Sequence, residues 1–244
     1  MSSAALAMTP HPPPDPLVGC ATVGHSLDLT ALQTPGPSSL PWCTRPRLHL
    51  REFHAGDIEA LMAMHADSRL RAHLVDDYPL QQEAVSRFFV ERMATLYREH
   101  EGLGIWHASA PHVECASESD DPHHPKAFAG WFSLMPMAER PGEVELGARL
   151  KPEFWGTGLA IEGAECLLDH AFDDLGLQQV LGICHPDNRS ALAVLAALGF
   201  VSDGVARYDY TLAHYHHIGM NAWRLACNTP RRTRLRQALR ASRT

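Results

Sequence analysis

The stretch EFWGTGLAIEGAECLL at residues 153–168 places Gly156 and Gly158 directly before a run whose apolar residues have helical spacing. Glycine pairs before helices often form nothing more than a tight turn, because glycine adopts positive φ angles at little cost. The same arrangement suits a phosphate, since the first N–H groups of a helix lack partners and lie at the positive end of its dipole. The rest of the chain has to decide between a turn and an anion site.

Composition excludes several classes of function. The chain has 244 residues, 45% of them hydrophobic, and a formal net charge of −7, which argues against a general nucleic-acid-binding protein. No apolar run approaches the roughly 20 residues that span a bilayer, so we expect no membrane partner. The N-terminal residues lack the basic start and apolar core of a secretory signal. These features predict a cytoplasmic protein of one large domain or two small ones.

The cysteines and histidines do not predict a metal site. The six cysteines form no CxxC pair, and without a secretory signal we expect them to be free thiols in a reducing cytosol. The sixteen histidines include two groups, one of His112, Cys115, His123 and His124 and the other of His214, His216 and His217. Neither group has the paired spacing of a structural zinc site, so no metal is expected.

Three segments of the chain differ in composition. Residues 1–43 are rich in proline and serine, which predicts a disordered N-terminal arm. Residues 44–228 carry the periodic segments and are expected to form the ordered domain. Residues 229–244 form a strongly basic tail that we expect to be frayed.

Hydrophobic periodicity within the ordered domain predicts an alternation of strands and helices. A strand at residues 47–53 precedes two helices, the first capped by Asp57 and the second carrying an apolar stripe. That stripe consists of Val85, Phe88, Phe89, Met93 and Leu96. A meander of three strands, a helix, a strand, a helix ended by Gly199 and a closing two-stranded hairpin at residues 204–226 then follow. This order predicts an α/β fold of the α+β type, with a mixed, mostly antiparallel sheet and one parallel crossover around the glycine loop.

Three motifs occur in order along the chain, ELG at residues 145–147, WGTGLA at residues 155–160, and HPDNRS followed by LGF at residues 185–200. Together they resemble the GNAT superfamily of acyl-CoA N-acyltransferases, and in particular its RimJ/RimL-like branch. RPRLHLREF near residue 47 is similar to the first strand of that family, so the resemblance covers roughly residues 44–226. It implies a GNAT-like sheet flanked by helices, a βα pyrophosphate loop, acetyl-CoA as cosubstrate, and an amine acceptor.

The family's loop pattern, R/Q-x-x-G-x-G/A, falls on residues 155–160, with Trp155 where the pattern has Arg or Gln. Small residues let the backbone approach a pyrophosphate, so we expect the N–H groups from Gly156 to Ala160 to donate to its oxygens. Trp155 is expected to pack against the protein, and the Thr157 hydroxyl to add a contact. The expected CoA-binding residues are Leu146, Trp155, Gly156, Thr157, Gly158, Leu159, Ala160 and Asn188.

Asn188 matches an asparagine of the family, which implies a partner for the pantetheine arm. A cap of the following helix is the structural alternative, and one residue can serve both roles. The family commonly has N-x-x-S, whereas this chain has Asn188-Arg189-Ser190-Ala191. Because one residue turns a helical side chain by about 100°, Ser190 does not simply inherit the contact of the displaced serine.

The implied reaction is acetyl transfer by direct attack of a primary amine on the thioester, and the amine must lose a proton to attack. Glu145 in the ELG strand is the first candidate for the base, acting directly or through water. Glu143 shares its face by alternation and is the reserve candidate. A strand carboxylate that merely faces solvent is the structural alternative for Glu145.

The departing thiolate needs little help, because a thiol pKa near 8.5 makes it a good leaving group. If an acid assists, Tyr208 or Tyr210 is the candidate, with Ser190 weaker. Backbone N–H groups around Leu146 are expected to polarise the thioester carbonyl. The chain has no G-x-S-x-G elbow and no phosphate loop of the GxxxxGK[ST] type, and Cys184 beside His185 is expected to be a buried strand residue rather than a nucleophile.

Several alternatives remain open at the level of sequence. A catalytically inactive acyl-CoA-binding sensor or interaction module is the main alternative to an enzyme, because Ala191 departs from the family pattern. The acceptor is a protein N-terminus or a small amine, and the acidic stretch at residues 75–78 suits a cationic acceptor or a simple polar turn. The basic tail is better explained as solvated than as an RNA contact. A homodimer is also open, since no pattern indicates the oligomeric state.

Overall fold

One eight-stranded sheet organises the part of the chain that the computed structural model describes, namely residues 43–45, 47–72, 74–75, 78–111, 126–137, 140–208 and 211–227. The strands are β1 (Cys43–Arg45), β2 (Leu48–Arg51), β3 (Gly104–Pro111), β4 (Lys126–Pro136), β5 (Val144–Leu150), β6 (Gln179–Cys184), β7 (Val201–Tyr208) and β8 (Thr211–Gly219). Their order across the sheet is β1-β2-β3-β4-β5-β6-β8-β7. Only β5 and β6 are parallel neighbours in this sheet, which confirms the predicted fold class and crossover.

Six α-helices accompany the sheet in the described residues. They are α1 (Ile58–Ala66), α2 (Ser68–Arg71), α3 (Glu83–Glu99), α4 (Leu159–Asp169), α5 (Arg189–Leu198) and α6 (Met220–Cys227). Helix α4 continues as a π-helical turn over His170–Asp174. Helix α5 ends at Gly199, whose φ of 92° satisfies the left-handed conformation that the glycine predicted.

The two faces of the sheet bury separate apolar clusters. One cluster packs α1 and α3 on the sheet and includes Leu61, Phe89, Met93, Leu96 and Trp131. The other packs α4, α5 and α6 on the opposite face and includes Phe132, Leu146, Leu167, Leu198 and Trp223. At Gly163 of α4 a Cβ would collide with the Phe132 ring, so glycine is what lets α4 approach β4 this closely.

The start of the first helical segment differs from the prediction. A 3₁₀ turn (Ala55–Asp57) precedes α1, and its N-cap is His54, whose ring nitrogen accepts from the N–H of Gly56 at 3.2 Å. The Asp57 side chain makes no cap bond to α1. Its carboxylate instead accepts from the His54 N–H at 2.9 Å and from two nitrogens of Arg51 at 2.7 Å each. Asp57 is therefore the N-cap residue of α1 by position, as predicted, but its side chain does not cap the helix, because the nearby arginine and the reciprocal capping box take its oxygens.

Two further predictions were wrong, one for a core residue and one for a strand. Phe88 is 45% exposed, because the buried face of α3 follows Phe89, Met93 and Leu96 at helical spacing and Phe88 lies one residue outside it. Residues 220–226 belong to α6 and not to the closing hairpin. Strand β8 ends at Gly219 opposite the first residue of β6, so no strand is available for further pairing.

A disulfide joins Cys43 of β1 to Cys166 of α4. The expectation that all cysteines are free was wrong for this pair, which lies 123 residues apart along the chain and meets only through the tertiary fold. Cys184 and Cys227 are buried and lie outside this disulfide. Cys20 and Cys115 lie outside the described residues, as do most of the N-terminal arm and the basic tail.

Candidate active site

The candidate site lies where the parallel strands β5 and β6 separate. Their ladder contains the pairs Glu145–Leu181 and Leu146–Gly182, although both strands continue beyond them. The glycine loop and α4 follow β5, and α5 follows β6, so both helices begin at this open end. Ligands of α/β sheets bind at such carboxyl ends, where neighbouring strands lead to different helices.

Gly156 and Gly158 shape the loop between β5 and α4. Their φ angles are 73° and 84°, in the left-handed region where a Cβ is strained. A Cβ built on Gly156 would meet no described atom within 4 Å, so the space beside the loop is open. No described residue accepts a hydrogen bond from the N–H of Gly156, Thr157 or Gly158. Free backbone donors before an 11-residue helix provide what a phosphate needs.

The other side chains of the loop are bound within the protein. The Trp155 indole N–H donates to the Leu150 carbonyl at 2.7 Å, while half of the side chain is exposed. The Thr157 hydroxyl donates to the Phe154 carbonyl at 2.8 Å and accepts weakly from the Leu159 N–H at 3.4 Å. Leu159 is buried in the core. Because these side chains brace the loop, its backbone is the part left to bind a ligand.

Asn188 caps α5, as its structural alternative predicted. Its side-chain oxygen accepts from the Ala191 N–H at 3.0 Å. Ser190 is exposed in the first turn of α5 and does not take the place of the serine in the family pattern. The contact of Asn188 with a pantetheine arm stays a prediction.

Glu145 stands at the point of strand separation. It lies opposite Met135 of β4 and beside Leu181 of β6, in the first of the two parallel pairs. Its side chain is half-buried on the sheet face that carries α1 and α3. Leu146, buried on the other face, forms the second pair. The structure thus brings the candidate base, Glu145, and the candidate carbonyl contact, Leu146, to the open end between β5 and β6.

The reserve base Glu143 is engaged by a neighbouring arginine. Glu143 precedes β5 and forms an ion pair with Arg140 at 3.1 Å, and the Arg140 guanidinium also lies 5.0 Å from the centre of the Tyr215 ring. Tyr208 ends β7 at the hairpin tip, paired with Thr211. Tyr210 lies outside the described residues.

Arg47 contacts the glycine loop, and no sequence pattern pointed to it. Its guanidinium donates to the Thr157 carbonyl at 3.0 Å and forms an ion pair with Glu162 of α4 at 2.9 Å. Arg47 lies 110 residues from Thr157 in the chain. Local periodicity contains no information about such a contact, so only the tertiary structure could reveal it.

A second cation lies on the Glu145 face of β5. The Arg149 guanidinium is 3.3 Å from Nε2 of the buried His65 and 4.9 Å from the centre of the Trp131 ring. Alternation along β5 could have placed Arg149 with Glu145, but His65 and Trp131 come from other elements. The arrangement fixes a positive charge beside the open end of the strand.

Cys184 and the histidines of β8 carry further reactive groups in the described part of the chain. Burial raises the pKa of the Cys184 thiol to about 11, which keeps it protonated and unreactive at neutral pH. His214 and His216 stack with ring centres 4.4 Å apart, whereas His217 lies on the other face of β8 and bonds to Asp203 at 2.7 Å.

The described part of the chain contains neither a cluster of metal ligands nor a membrane-spanning helix. Within it, no three His, Cys, Asp or Glu side chains are grouped so that they could hold a metal ion. The histidine and cysteine group at residues 112–124 lies outside that part. None of the described helices is long and apolar enough to cross a bilayer.

Comparisons with known proteins agree with this geometry. The chain is 38% identical over 79 residues to the FsC-acetyl coenzyme A-N(2)-transacetylase of Aspergillus fumigatus, covering 30% of this chain and 34% of that protein. It is 28% identical over 91 residues to the putative ribosomal N-acetyltransferase YdaF of Bacillus subtilis, covering 37% and 50%. The chain thus matches half or less of the length of these curated relatives.

A solved structure and a family model complete the comparison. The fold is similar to RimL, a ribosomal L7/L12 alpha-N-protein acetyltransferase solved in complex with coenzyme A, with a TM-score of 0.57, 19% identity, and coverage of 72% of this chain and 96% of that one. Residues 47–201 match the model of the acetyltransferase (GNAT) domain. The chain therefore belongs to the GNAT acetyltransferase family.

Proposed function

We propose that this protein is an N-acetyltransferase that moves an acetyl group from acetyl-CoA to a primary amine. The observation that carries the proposal is the open end of β5 and β6, where the free N–H groups of the glycine loop lie on one side and Glu145 lies in the short parallel ladder just before the strands part. An anionic donor and a site of proton removal are thereby combined in one cleft.

The donor is expected to bind through backbone atoms. The N–H groups of Gly156, Thr157 and Gly158 donate to the diphosphate, whose negative charge is stabilised by the positive end of the α4 dipole. The pantetheine arm then passes between the separated strands, with Asn188 at the start of α5 beside it. The Leu146 backbone orients the thioester carbonyl next to Glu145.

The chemical step needs no covalent enzyme intermediate. Glu145, directly or through one water, takes a proton from the ammonium so that the amine lone pair can attack the thioester carbon. The C–N bond forms and the C–S bond breaks, with its electron pair leaving on the thiolate, while the nitrogen loses its second proton to solvent to give the neutral amide. Tyr208, Tyr210 or solvent returns a proton to that sulfur. Cys184 is not a competing nucleophile, because its raised pKa of about 11 leaves almost no thiolate.

The acceptor is either a protein N-terminus or a small amine. The names of RimL and of the Bacillus subtilis relative both describe ribosomal acetyltransferases, whereas the Aspergillus fumigatus relative is named for an N(2)-transacetylation. A turnover screen with acetyl-CoA and separate sets of peptide N-termini, polyamines, amino acids and aminoglycosides tests the proposal. Acetylated product from one set supports the enzyme, while CoA binding without turnover of any set supports the inactive binding module.

The cellular location and assembly belong to the same proposal. We place the protein in the cytoplasm, where acetyl-CoA and amine acceptors are both available, and we treat the homodimer as open. Cell fractionation and sedimentation at several protein concentrations test these two points independently of activity. Recovery in a membrane or secreted fraction would contradict the proposed location.

A further inference from the structure

We propose that Arg47 is a positioning residue for the diphosphate of CoA, acting through the Thr157 carbonyl and the Glu162 carboxylate. The inference rests on the proposed function, because it assumes that the glycine loop receives CoA. It goes beyond the loop itself, since Arg47 lies before β2, far from residues 155–160 in the sequence.

The segment that carries the loop needs a cation from elsewhere. Residues 153–175 contain six acidic residues and no lysine or arginine. Glu162 lies in the first turn of α4 with a side chain only 11% exposed, so its charge is poorly screened by water. An unpaired carboxylate at this position would repel a diphosphate at the same helix terminus.

Arg47 neutralises that carboxylate with a geometry that fixes both side chains. Its Nε and Nη2 atoms lie 3.0 Å and 2.9 Å from Oε2 of Glu162, and its backbone N–H donates to Oε1 at 3.3 Å. The Arg47 side chain stays 54% exposed beside the loop. Arg47 therefore cancels the negative charge of Glu162 and keeps a positive group at the mouth of α4.

Arg47 also fixes the orientation of one peptide group in the loop. Its Nη1 atom donates to the Thr157 carbonyl at 3.0 Å. The described chain contains no cis peptide bond, so the N–H of Gly158 points opposite to the Thr157 carbonyl and away from Arg47. Glycine at position 158 makes rotation of this peptide easy, because it tolerates both signs of φ. Arg47 thus keeps the N–H of Gly158 in one orientation, which the flexible loop alone would not maintain.

Neighbouring contacts supply a matched control. Arg45 makes the analogous ion pair two residues earlier, from β1 to Asp169 of α4 at 3.0 Å, and Asp169 also accepts from the Trp223 indole N–H at 3.1 Å. This pair ties the same strand region to the same helix, but it lies more than two helical turns from the loop. Arg45→Ala tests the effect of loosening α4 without disturbing the loop.

The experiment measures binding of CoA and of pantetheine, which lacks the diphosphate, by titration calorimetry. Arg47→Ala is expected to weaken CoA binding roughly tenfold to a hundredfold, since an oriented donor and the neutralisation of Glu162 are both lost, and to leave pantetheine binding unchanged. Arg47→Lys should recover part of the loss. Adding Glu162→Gln to Arg47→Ala should recover the electrostatic part, and Arg45→Ala should leave CoA affinity within about twofold.

The outcomes separate this inference from the proposed function. No CoA binding by the wild-type protein would overturn both. CoA binding by the wild type, with equal affinity in Arg47→Ala, would overturn only the role of Arg47. If Arg47→Ala and Arg45→Ala lose equal affinity for both CoA and pantetheine, in proportion to their loss of thermal stability, Arg47 has only a structural role. Loss of CoA affinity alone, with kcat at saturating acetyl-CoA within about threefold of wild type, supports the proposal.

Discussion

Gly158→Glu is expected to abolish most of the affinity for CoA while leaving the fold intact. A Cβ at this position would lie 3.6 Å from Nη2 of Arg47, an ordinary contact, so steric clash contributes little. The φ of 84° costs a side chain about 1–2 kcal/mol of folding stability. A new carboxylate about 5 Å from a phosphate charge adds about 3 kcal/mol of repulsion at an effective dielectric constant of about 20, and less where solvent screens it. We therefore expect CoA affinity to fall by at least about tenfold.

Two alanine variants separate backbone strain from charge. Gly176 has a φ of 66° and open space where a Cβ would lie, like Gly156 in the loop, but it belongs to the turn before β6. Gly176→Ala and Gly158→Ala should lose similar stability in urea unfolding, while only Gly158→Ala weakens CoA binding, and less than Gly158→Glu does. Calorimetric titration with CoA gives the affinities. Wild-type affinity in Gly158→Glu would refute the placement of the diphosphate.

The remaining predictions concern catalysis and stability. Glu145→Gln should lower kcat by about 10²–10⁴-fold with CoA affinity preserved, and full activity across pH would remove Glu145 as the base. Gly163→Ala should cost about 1–3 kcal/mol in urea unfolding, because its methyl group would collide with the buried Phe132 ring; an unchanged midpoint would contradict the packing. Cys43→Ser should cost about 2–4 kcal/mol, and reductant should destabilise the wild type but not the variant. Burial lowers the pKa of His107 from 6.5 to about 4, so the neutral form stabilises the fold above pH 6.5 and stability falls as pH drops towards 4. His107→Gln should flatten that fall in acid unfolding curves, and an unchanged curve would exclude His107.

Local pattern was sufficient for the elements that build the cleft. The alternation of Val144 and Leu146, the glycine pair before α4 and the cap at Asn188 each arise within a few residues, and β5, the loop and α5 lie where these signals predicted them. The parallel crossover followed from the order strand, helix, strand.

Contacts between distant segments could not be predicted from local sequence patterns. The Cys43–Cys166 disulfide, the Arg47–Glu162 ion pair and the Arg149 contact with His65 each join residues that are more than 80 positions apart. Helix α6 was missed for a related reason, because the end of β8 depends on where its partner β6 begins. Periodicity reports which face of an element is buried, but it does not report what lies against that face.

Acetyl transfer by direct attack is checked by measuring acetylated product and free CoA thiol in the same reaction. Purified full-length protein is incubated with acetyl-CoA and the amine panel, the product is identified by mass spectrometry, and the thiol is quantified in the same sample. Acetyl transfer by direct attack predicts one free thiol for each acetylated amine, with both signals lost together in Glu145→Gln. Thiol release without acetylated amine, or CoA binding with neither product, would contradict the account.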